Sequence, residues 1–430
     1  MKASATAGIL WAVAFSVAAA CAQRSTTGFV SSHPWAASGQ WLRADTHMHS
    51  RFSDGGQEIG PLVAKAKSFG CQVVAVTDHA DSNLTGASPE YSAAVRAARA
   101  ENPDLLILAG LEWNVPPFGG KEHLSVLVPQ GPGEGPMLAE FKQRFDDYGR
   151  SDGSKPRAEE ALSWLAETTR DLPVKPVVIY NHPSRKDTSS RLNVDDIVGW
   201  RNVNDVVIGF EGGPGHQGKL PIGDYTPAEP AIDRWDPVVA RAGDAWDTLL
   251  QRGVDVHGAI ASSDFHNDNP GDLNDFWPCQ FAETWYYVPE KTTAGVLRAM
   301  RAGAFFGVHG RIATNLDLTI VADGLPRAAM VGETIQVPKG TEVTAALAVD
   351  IPETDWQQRP NHIDAAEVFV ITPDKVDVRT HALAGTGVKV VGEKIVVGEG
   401  GVVVRARVRR VVADGPDLMG YTNAIRIRAR

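Results

Sequence analysis

The sequence has little cysteine, a deficit of positive charge and, beyond its N-terminus, no long apolar run. Three cysteines in 430 residues do not indicate a disulfide framework. Lys and Arg number 42 against 52 Asp and Glu, and this net charge of −10 argues against a nucleic-acid polymer as partner. No later stretch reaches the roughly 20 apolar residues that a membrane-spanning helix needs, so no transmembrane segment is expected.

The one apolar run stands at the N-terminus and has the form of an export signal. Lys2 precedes apolar residues 9–15, and small residues follow at 18–22. We predict a signal peptide over residues 1–22 and an exported protein, periplasmic or extracellular. Cleavage before Cys21 would instead leave a thiol for a lipid anchor. Ala18, where lipoprotein signals usually carry Leu, favours the soluble form.

Two cysteines remain in the chain after the predicted signal, and two interpretations of them stay open. Cys71 and Cys279 are either buried small hydrophobic residues or the partners of one disulfide in an oxidising compartment. Free cysteine is among the most buried residue types, which favours the first interpretation.

Two kinds of pattern divide the chain. Between about residues 40 and 310, short β-branched runs alternate with Ala-rich amphipathic stretches, as in α/β proteins built from βα units. The last helix-like stretch covers residues 294–307. Beyond Arg311 the pattern has period two, which predicts a β-sandwich over residues 311–430. The length also favours two domains, and we place their boundary near residue 310.

Arginine occupies every second position of two predicted strands in the C-terminal part. The six residues are Arg405, Arg407 and Arg409, then Arg426, Arg428 and Arg430. One interpretation is a basic patch that meets an anionic surface. The other, which the alternation itself favours, is the solvated face of two half-buried strands.

Metal-competent side chains follow the predicted strands of the first domain. His47 and His49 are two residues apart on an extended stretch, so both imidazoles point the same way. The others are Asp54, His79, Glu112, His123, His182, Asp264 and His266. Since the C-terminal ends of neighbouring strands are where such folds place ligands, this placement is not expected from chance.

These motifs resemble the PHP (polymerase and histidinol phosphatase) superfamily of metal-dependent phosphoesterases. In order, they are His-x-His with a downstream Ser-Asp-Gly at 53–55, Thr-Asp-His at 77–79, Gly-x-Glu at 110–112, His123, Asn-His-Pro at 181–183 and Asp-x-His at 264–266. The resemblance implies a distorted seven-stranded β/α barrel, here within residues 23–310. With its β-rich tail, the chain is most similar to the branch that includes carbaryl hydrolases.

The resemblance also implies two or three divalent metal ions as cofactors. The first set is His47, His49 and Asp264, which share Glu112 as a bridge with a second set completed by His123 and His182; the third set is Asp54, His79 and His266. Imidazole and carboxylate ligands suit Zn, Mn or Fe. Two such ions can share a water and lower its pKa, so that hydroxide is the nucleophile.

Three further residues are candidates for catalytic or substrate contacts. Asp78 is expected to orient a ligand imidazole or a metal-bound water, or else to cap a turn. Arg185 is predicted to meet substrate oxygens, with a solvated loop charge as the alternative. His216 is a substrate contact or proton donor, or a structural loop histidine.

The sequence therefore favours an exported metal-dependent hydrolase of small phosphoesters, with a small anionic molecule as substrate. A carbamate, ester or amide hydrolase with the same metal ligands is the alternative enzyme. An alternative of another class is an exported binding protein with an inert barrel, and the complete set of nine metal-competent residues argues against it.

Overall fold

The computed structural model describes residues 26–150, 153–184, 194–215, 233–268 and 274–430. The predicted signal peptide with Cys21, and the predicted contacts Arg185 and His216, lie outside the described residues. Within the described ranges, no helix combines the length and the apolar character needed to cross a bilayer.

In the ranges that the structure describes, helices are interspersed with strands up to Ala302, and strands follow to the C-terminus. The helices are α1 (Ile59–Ser68), α2 (Pro89–Glu101), α3 (Glu134–Phe145), α4 (Lys155–Thr168), α5 (Val194–Val203), α6 (Pro237–Ala240), α7 (Ala245–Gln251) and α8 (Thr293–Ala302). The strands are β1 (Gly28–Ser31), β2 (Gln40–Asp45), β3 (Val73–Val76), β4 (Leu106–Asn114), β5 (His123–Leu127), β6 (Val177–Tyr180), β7 (Val207–Pro214), β8 (His257–Ser262), β9 (Ala282–Val288), β10 (Phe305–His309), β11 (Asn315–Val321), β12 (Ala329–Met330), β13 (Thr334–Val337), β14 (Glu342–Ile351), β15 (Ala365–Thr372), β16 (Lys375–Ala382), β17 (Gly387–Val396), β18 (Val402–Arg410), β19 (Leu418–Thr422) and β20 (Ile425–Ala429).

Strands β2 to β10 form one curled sheet with helices packed on it. Its order is β10-β9-β2-β3-β4-β5-β6-β7-β8. Strands β2, β3 and β4 are parallel, as are β6, β7 and β8, whereas β5 is antiparallel to both its neighbours. The predicted α/β class is therefore confirmed. Because β9 and β10 extend the sheet beyond β2, the structure does not single out seven barrel strands, and that count stays a prediction.

Polar contacts join the two ends of the curl. Thr284 on β9 exchanges hydrogen bonds with the backbone of Ala261 on β8 through its Oγ1, at 2.8 Å in both directions. Past the strand ends, the Asp264 N–H donates to the His47 carbonyl at 3.0 Å, and the His49 N–H donates to the Phe265 carbonyl at 2.8 Å. The residues that follow β2 and β8 are thereby brought side by side.

Helix α8 shows how local chemistry sets an element's limits. The Thr292 side chain accepts a hydrogen bond from the Gly295 N–H at the helix start. The helix ends at Gly303, whose φ of 67° is a left-handed conformation that glycine adopts without a steric cost. The sequence pattern extended this helix-like stretch to residue 307, but residues 305–309 form strand β10 because the chain reverses at Gly303.

The C-terminal part is rich in strands, as the sequence predicts. Strands β12, β11, β14 and β17 form a separate four-stranded sheet, while β13, β20, β18 and β19 continue the large sheet through the β19–β10 pair. Strand β1, from the predicted first domain, also pairs with β13. The sheet is thus continuous across residue 310, and the division there remains a prediction.

The six alternating arginines at residues 405–409 and 426–430 differ in burial, so neither interpretation holds for all of them. Arg405 is fully buried and donates from Nε and Nη2 to Asp247 of α7, at 2.7 and 3.0 Å. Arg426 is buried and pairs with Asp255 at 2.7 Å. Arg428 and Arg430 are exposed. The period-two pattern identified one face of each strand, but Asp247 and Asp255, which contact part of that face, are distant in the sequence.

Cys71 and Cys279 form a disulfide, although the sequence favoured two separate thiols. Their Cα atoms are 5.7 Å apart, and 208 positions separate them in the sequence. Cys71 lies between α1 and β3, and Cys279 precedes β9. Both side chains are buried, so burial and pairing are not alternatives here.

Candidate metal centre

All nine predicted metal ligands lie together at the rim formed by the C-terminal ends of the parallel strands. They reach it from β2, β3, β4, β6 and β8 or from the turns that follow these strands. His123 reaches the same rim differently: it is the first residue of antiparallel β5, where it pairs with Asn114 near the end of β4. The predicted convergence is therefore present, whereas metal binding by these residues stays a prediction.

Ligand atoms fall into three groups, each with its members' donor atoms within 4.8 Å of one another. The groups are His47, His49 and Asp264; His79, Glu112 and His123; and His49, Asp54, His79 and His266. They overlap at His49 and His79, so the structure brings together one cluster of adjoining donor sets.

Glu112 is the centre of this cluster. It is 1% exposed, and its two carboxylate oxygens lie within 3.5 Å of imidazole nitrogens from five histidines. Oε1 is 3.3 Å from His47 Nε2, and Oε2 is 3.0 Å from His79 Nδ1. Both carboxylate oxygens of Glu112 therefore have imidazole nitrogens near them, while the bridging role that the resemblance implies stays a prediction.

Two placements differ in detail from the sets implied by the family resemblance. His79, expected beside Asp54 and His266, also turns Nδ1 toward Glu112. His182 Nε2 lies 3.4 Å from Glu112 and 3.9 Å from Asp264, and it belongs to none of the three close groups. The partition of the nine side chains among individual ions therefore stays a prediction.

The charges of the cluster favour a bound cation. Burial would lower the pKa of His47, but Asp264, Glu211 and Glu112 raise it well above its usual value. Burial would raise the pKa of Glu112, but the surrounding histidines lower it well below its usual range. Buried carboxylates thus demand positive charge around them, which protons or a divalent cation can supply.

The donor geometry fits metal ligation better than a closed hydrogen-bond network. His47 Nε2 and His49 Nε2 are 3.2 Å apart, and each lies 3.2 Å from Asp264 Oδ1. The two nitrogens are therefore close enough to bind the same ion. Burial, together with His266 and His79, lowers the pKa of His49 to about 3, which keeps this ring neutral at neutral pH. His79 Nδ1 is buried without a hydrogen bond of acceptable geometry, despite its short distance to Glu112. Neutral imidazoles and carboxylates are ligands suited to Zn, Mn or Fe.

Glu211 contacts His47 on the ring nitrogen that faces away from Glu112. This role of Glu211 was not predicted from the sequence. This buried residue of β7 has Oε1 3.0 Å from His47 Nδ1 and accepts a second hydrogen bond from the Ser262 hydroxyl. A carboxylate on Nδ1 directs the Nε2 lone pair of His47 toward Glu112 and Asp264. The available signal was an acidic residue directly after the predicted 206–210 strand.

Asn181 fixes the central carboxylate. Its Nδ2 donates to Glu112 Oε1 at 2.8 Å and to Ser125 Oγ at 3.0 Å. Asn181 stands in the Asn-His-Pro motif, from which no role for it was predicted. Its position directly before a predicted ligand was the signal that pointed to it.

Asp78 makes the contacts of the turn-capping alternative. Its Oδ1 accepts from the Ser50 N–H and the Ser53 hydroxyl, and its Oδ2 accepts from the Ser50 hydroxyl. The turn that it holds connects His49 to Asp54. Asp78 therefore positions the backbone between two predicted ligands, and a catalytic role for it stays a prediction.

Part of the sequence that forms the rim matches a known family. Residues 45–171 match the PHP domain. This range covers less than half of the chain and includes six of the predicted ligands, from His47 to His123. The resemblance is confirmed there, while the carbaryl-hydrolase branch stays a prediction. No curated protein matches the chain significantly.

Solved structures show weak overall likeness. A two-domain protein containing a predicted PHP-like metal-dependent phosphoesterase from Bacteroides vulgatus is 15% identical, with 90% of this chain and 95% of that chain covered and a TM-score of 0.42. A candidate metal-dependent phosphoesterase from Bifidobacterium adolescentis is 16% identical, with 53% and 89% covered and a TM-score of 0.31. An amidohydrolase from Chromobacterium violaceum is 18% identical, with 40% and 77% covered and a TM-score of 0.24. At these scores the likenesses do not establish a common function.

Proposed function

We propose that the protein is a metal-dependent hydrolase of small phosphoesters that uses two or three divalent ions. The observation that carries the proposal is the buried Glu112 carboxylate with five imidazoles within 3.5 Å. The PHP match over residues 45–171 supports the same chemistry. Divalent ions bound there would supply Lewis acidity and lower the pKa of water to generate a nucleophile at neutral pH.

The chain's own residues prepare this centre. Glu211 holds His47 in the orientation that presents Nε2, and Asn181 holds the Glu112 carboxylate. His49, His47 and Glu112 are at most 2% exposed, which excludes bulk water from the interior of the cluster. Electrostatic contacts are stronger in such a site because the local dielectric is low.

Solvent reaches the cluster from one side. The Asp54 side chain is 51% exposed, and those of His79 and His266 are 14 and 15% exposed. We infer that substrate approaches over these three residues. An anionic oxygen would then meet the cations before it reaches the buried carboxylates, which suits the small anionic substrate expected from the sequence.

The proposal extends to the fold and the place of action. We propose that residues 1–22 are a signal peptide and that the mature chain acts outside the cytoplasm, as a PHP-type barrel with a C-terminal β-sandwich. The disulfide between Cys71 and Cys279 supports export, because such bonds persist mainly in oxidising compartments.

Metal analysis of the purified protein, followed by a substrate panel, tests the function. We expect at least two equivalents of Zn, Mn or Fe per chain and release of inorganic phosphate from aryl phosphates or nucleotides. Turnover of carbamates, esters or amides alone would favour the alternative hydrolase. Bound metal with no turnover of either class, or the absence of bound metal, would favour the binding protein.

A further inference from the structure

Two segments lie between the metal centre and the C-terminal part. The first, residues 274–281, runs into β9, and the second, residues 233–236, precedes α6. Each contacts a predicted metal ligand, or a residue close to one in the sequence, on one side and a strand or loop from beyond residue 310 on the other. We call them the 274–281 segment and the 233–236 segment.

The 274–281 segment supports His266. Asp275 Oδ2 accepts a hydrogen bond from the His266 N–H at 2.6 Å and from the Asn267 N–H at 3.2 Å. Farther along the segment, the Cys279 N–H donates to Asp45 Oδ2 at 3.2 Å. Asp45 also accepts from the His47 N–H at 3.3 Å. The position of this segment therefore bears directly on the backbone of two predicted ligands.

The C-terminal part holds the same segment from outside. Trp356 lies edge-on to Phe276 and Phe281, with ring centroids 5.2 and 5.3 Å away. The backbone N–H of Trp356 also donates a hydrogen bond to the Gly310 carbonyl at 3.2 Å. Because Phe276 directly follows Asp275, the packing of Trp356 limits the movement of the carboxylate that supports His266.

The loop that carries Trp356 is itself tightly held. Asp355 is fully buried and accepts hydrogen bonds from the Gln357 and Arg359 N–H groups, at 2.8 and 3.0 Å. Its Oδ2 also accepts from Arg410 Nη1 of β18 at 3.0 Å. A buried carboxylate with this many partners fixes the loop to the sheet of the C-terminal part.

The 233–236 segment makes an equivalent connection to His182. Trp235 packs on Tyr421 of β19 with centroids 4.4 Å apart. The neighbouring Asp236 accepts from the Ser184 N–H at 2.8 Å and from the Ser184 hydroxyl at 2.7 Å. Ser184 lies two residues after His182, whose φ of 30° is a left-handed conformation that its surroundings must enforce.

We propose that the C-terminal part is a positioning component of the metal centre. Trp356 acts on His266 through Phe276 and Asp275, and Tyr421 acts on His182 through Trp235, Asp236 and Ser184. The inference rests on the proposed metal binding, and it assigns to the β-rich part a role that the sequence left open. Supporting residues of this kind matter because ligands displaced by a fraction of an ångström bind a cation less tightly.

Zinc affinity of the full-length protein, measured by competition with a chelating dye, tests the proposal. We expect Trp356→Leu and Tyr421→Leu each to weaken zinc binding by about 10–100-fold. Trp356→Phe, which keeps a ring against Phe276, should restore most of the affinity. Trp164→Leu is the matched control, because Trp164 is also half-buried and packs on Phe141 and Phe145, at 6.0 and 5.8 Å. It should lose stability in urea but retain the wild-type zinc affinity.

The outcomes separate this proposal from the function. If wild-type protein binds zinc and both leucine variants bind it equally well, the C-terminal part is only structural and the proposal is wrong. The same conclusion follows if Trp164→Leu weakens zinc binding as much as Trp356→Leu does. If the wild-type protein itself binds none of zinc, manganese or iron, the proposed function fails first, and the positioning role fails with it.

Discussion

Buried carboxylates occur in both the metal-centre rim and the C-terminal part, but the two regions neutralise them differently. In the C-terminal part, Glu333 receives two hydrogen bonds from Arg327, and Asp355 receives one from Arg410. At the rim, Glu112 is surrounded by imidazoles and the Asn181 amide. Arginine keeps its charge at every accessible pH, whereas imidazole can release a proton and bind a metal. A buried carboxylate paired with arginine therefore indicates a structural role. A buried carboxylate among imidazoles indicates a site where protons and metal ions can replace each other.

The largest predicted effect is the loss of the central carboxylate. Glu112→Gln keeps the size of the side chain but removes the negative charge that five imidazoles surround. We expect hydrolysis to fall by at least about 10³-fold, because loss of one transition-state contact already costs ~10²–10³-fold. Bound metal per chain should fall as well. Rates and metal content of purified protein measure both effects.

A buried carboxylate outside the rim provides the control. Glu134 is buried and accepts two hydrogen bonds from Arg99, each at 2.7 Å. Glu134→Gln should lower stability and leave the rate per folded molecule unchanged. Near-wild-type turnover by chelator-washed Glu112→Gln protein would contradict a central role for Glu112 and remove the contrast between the two regions.

The second largest effect is expected from loss of the buried ion pair between Arg405 and Asp247. Arg405 and Asp247 are both fully buried, and Arg405 also lies 3.8 Å from the ring centroid of Phe369. Arg405→Met should lower the free energy of unfolding by about 3–5 kcal/mol, since Asp247 would be left as an uncompensated buried charge. Urea unfolding measures the change.

Two further variants sharpen this test. Arg405→Met combined with Asp247→Leu should recover much of the loss, because it leaves no unpaired charge. Arg430→Met, at an exposed position, should change stability by less than about 0.5 kcal/mol. Equal effects of Arg405→Met and Arg430→Met would show that the buried pair is not needed.

The distance in sequence between interacting residues explains what the sequence could predict and what it could not. Local patterns predicted strands close to β3, β4, β6, β7 and β8. Motifs at the ends of these strands, together with the PHP resemblance, identified the nine converging side chains, because the ends of parallel strands meet at one rim. The role of Glu211 was missed, since its partner His47 is 164 positions away. The burial of Arg405 depends on Asp247, which is 158 positions away. Local periodicity gives the face of a strand but not what covers it.

The third effect concerns the disulfide that joins two parts of the α/β region. Reduction, or replacement of Cys71 and Cys279 by serine, should lower the free energy of unfolding by about 2–4 kcal/mol, because the unfolded chain loses a long covalent loop. Thermal unfolding with and without dithiothreitol measures it. The double-serine variant serves as control and should not respond to the reductant; a wild-type protein that is equally unresponsive would contradict the bond.

A smaller effect is expected at the rim from Glu211. Glu211→Gln keeps a hydrogen-bond acceptor near His47 but removes the negative charge, so metal affinity should fall by about 10–100-fold. Chelator competition measures the affinity. Ser262→Ala removes the other hydrogen bond to the same carboxylate oxygen and should have a weaker effect. An unchanged affinity in Glu211→Gln would exclude Glu211 from the support of the centre.

The smallest predicted effect is a pH dependence from a buried histidine outside the ligand set. Burial lowers the pKa of His309 from 6.5 to about 3, so the folded state holds this ring neutral while the unfolded chain takes up a proton. A lowered folded pKa contributes stability that is present above pH 6.5 and is lost as pH falls. Between pH 7 and pH 6 the loss should be about 0.7 kcal/mol.

His309→Gln tests this contribution, since glutamine keeps an N–H for the Gly213 carbonyl, which His309 Nε2 approaches at 3.0 Å, but does not titrate. The variant's unfolding free energy should fall less than that of the wild-type protein between pH 7 and pH 6, and the two should differ by a constant amount above pH 8. Identical pH profiles would mean that His309 is not held neutral by burial. His309, which is buried without carboxylates around it, would then no longer contrast with His47 at the rim, where Asp264, Glu211 and Glu112 raise the pKa of the ring.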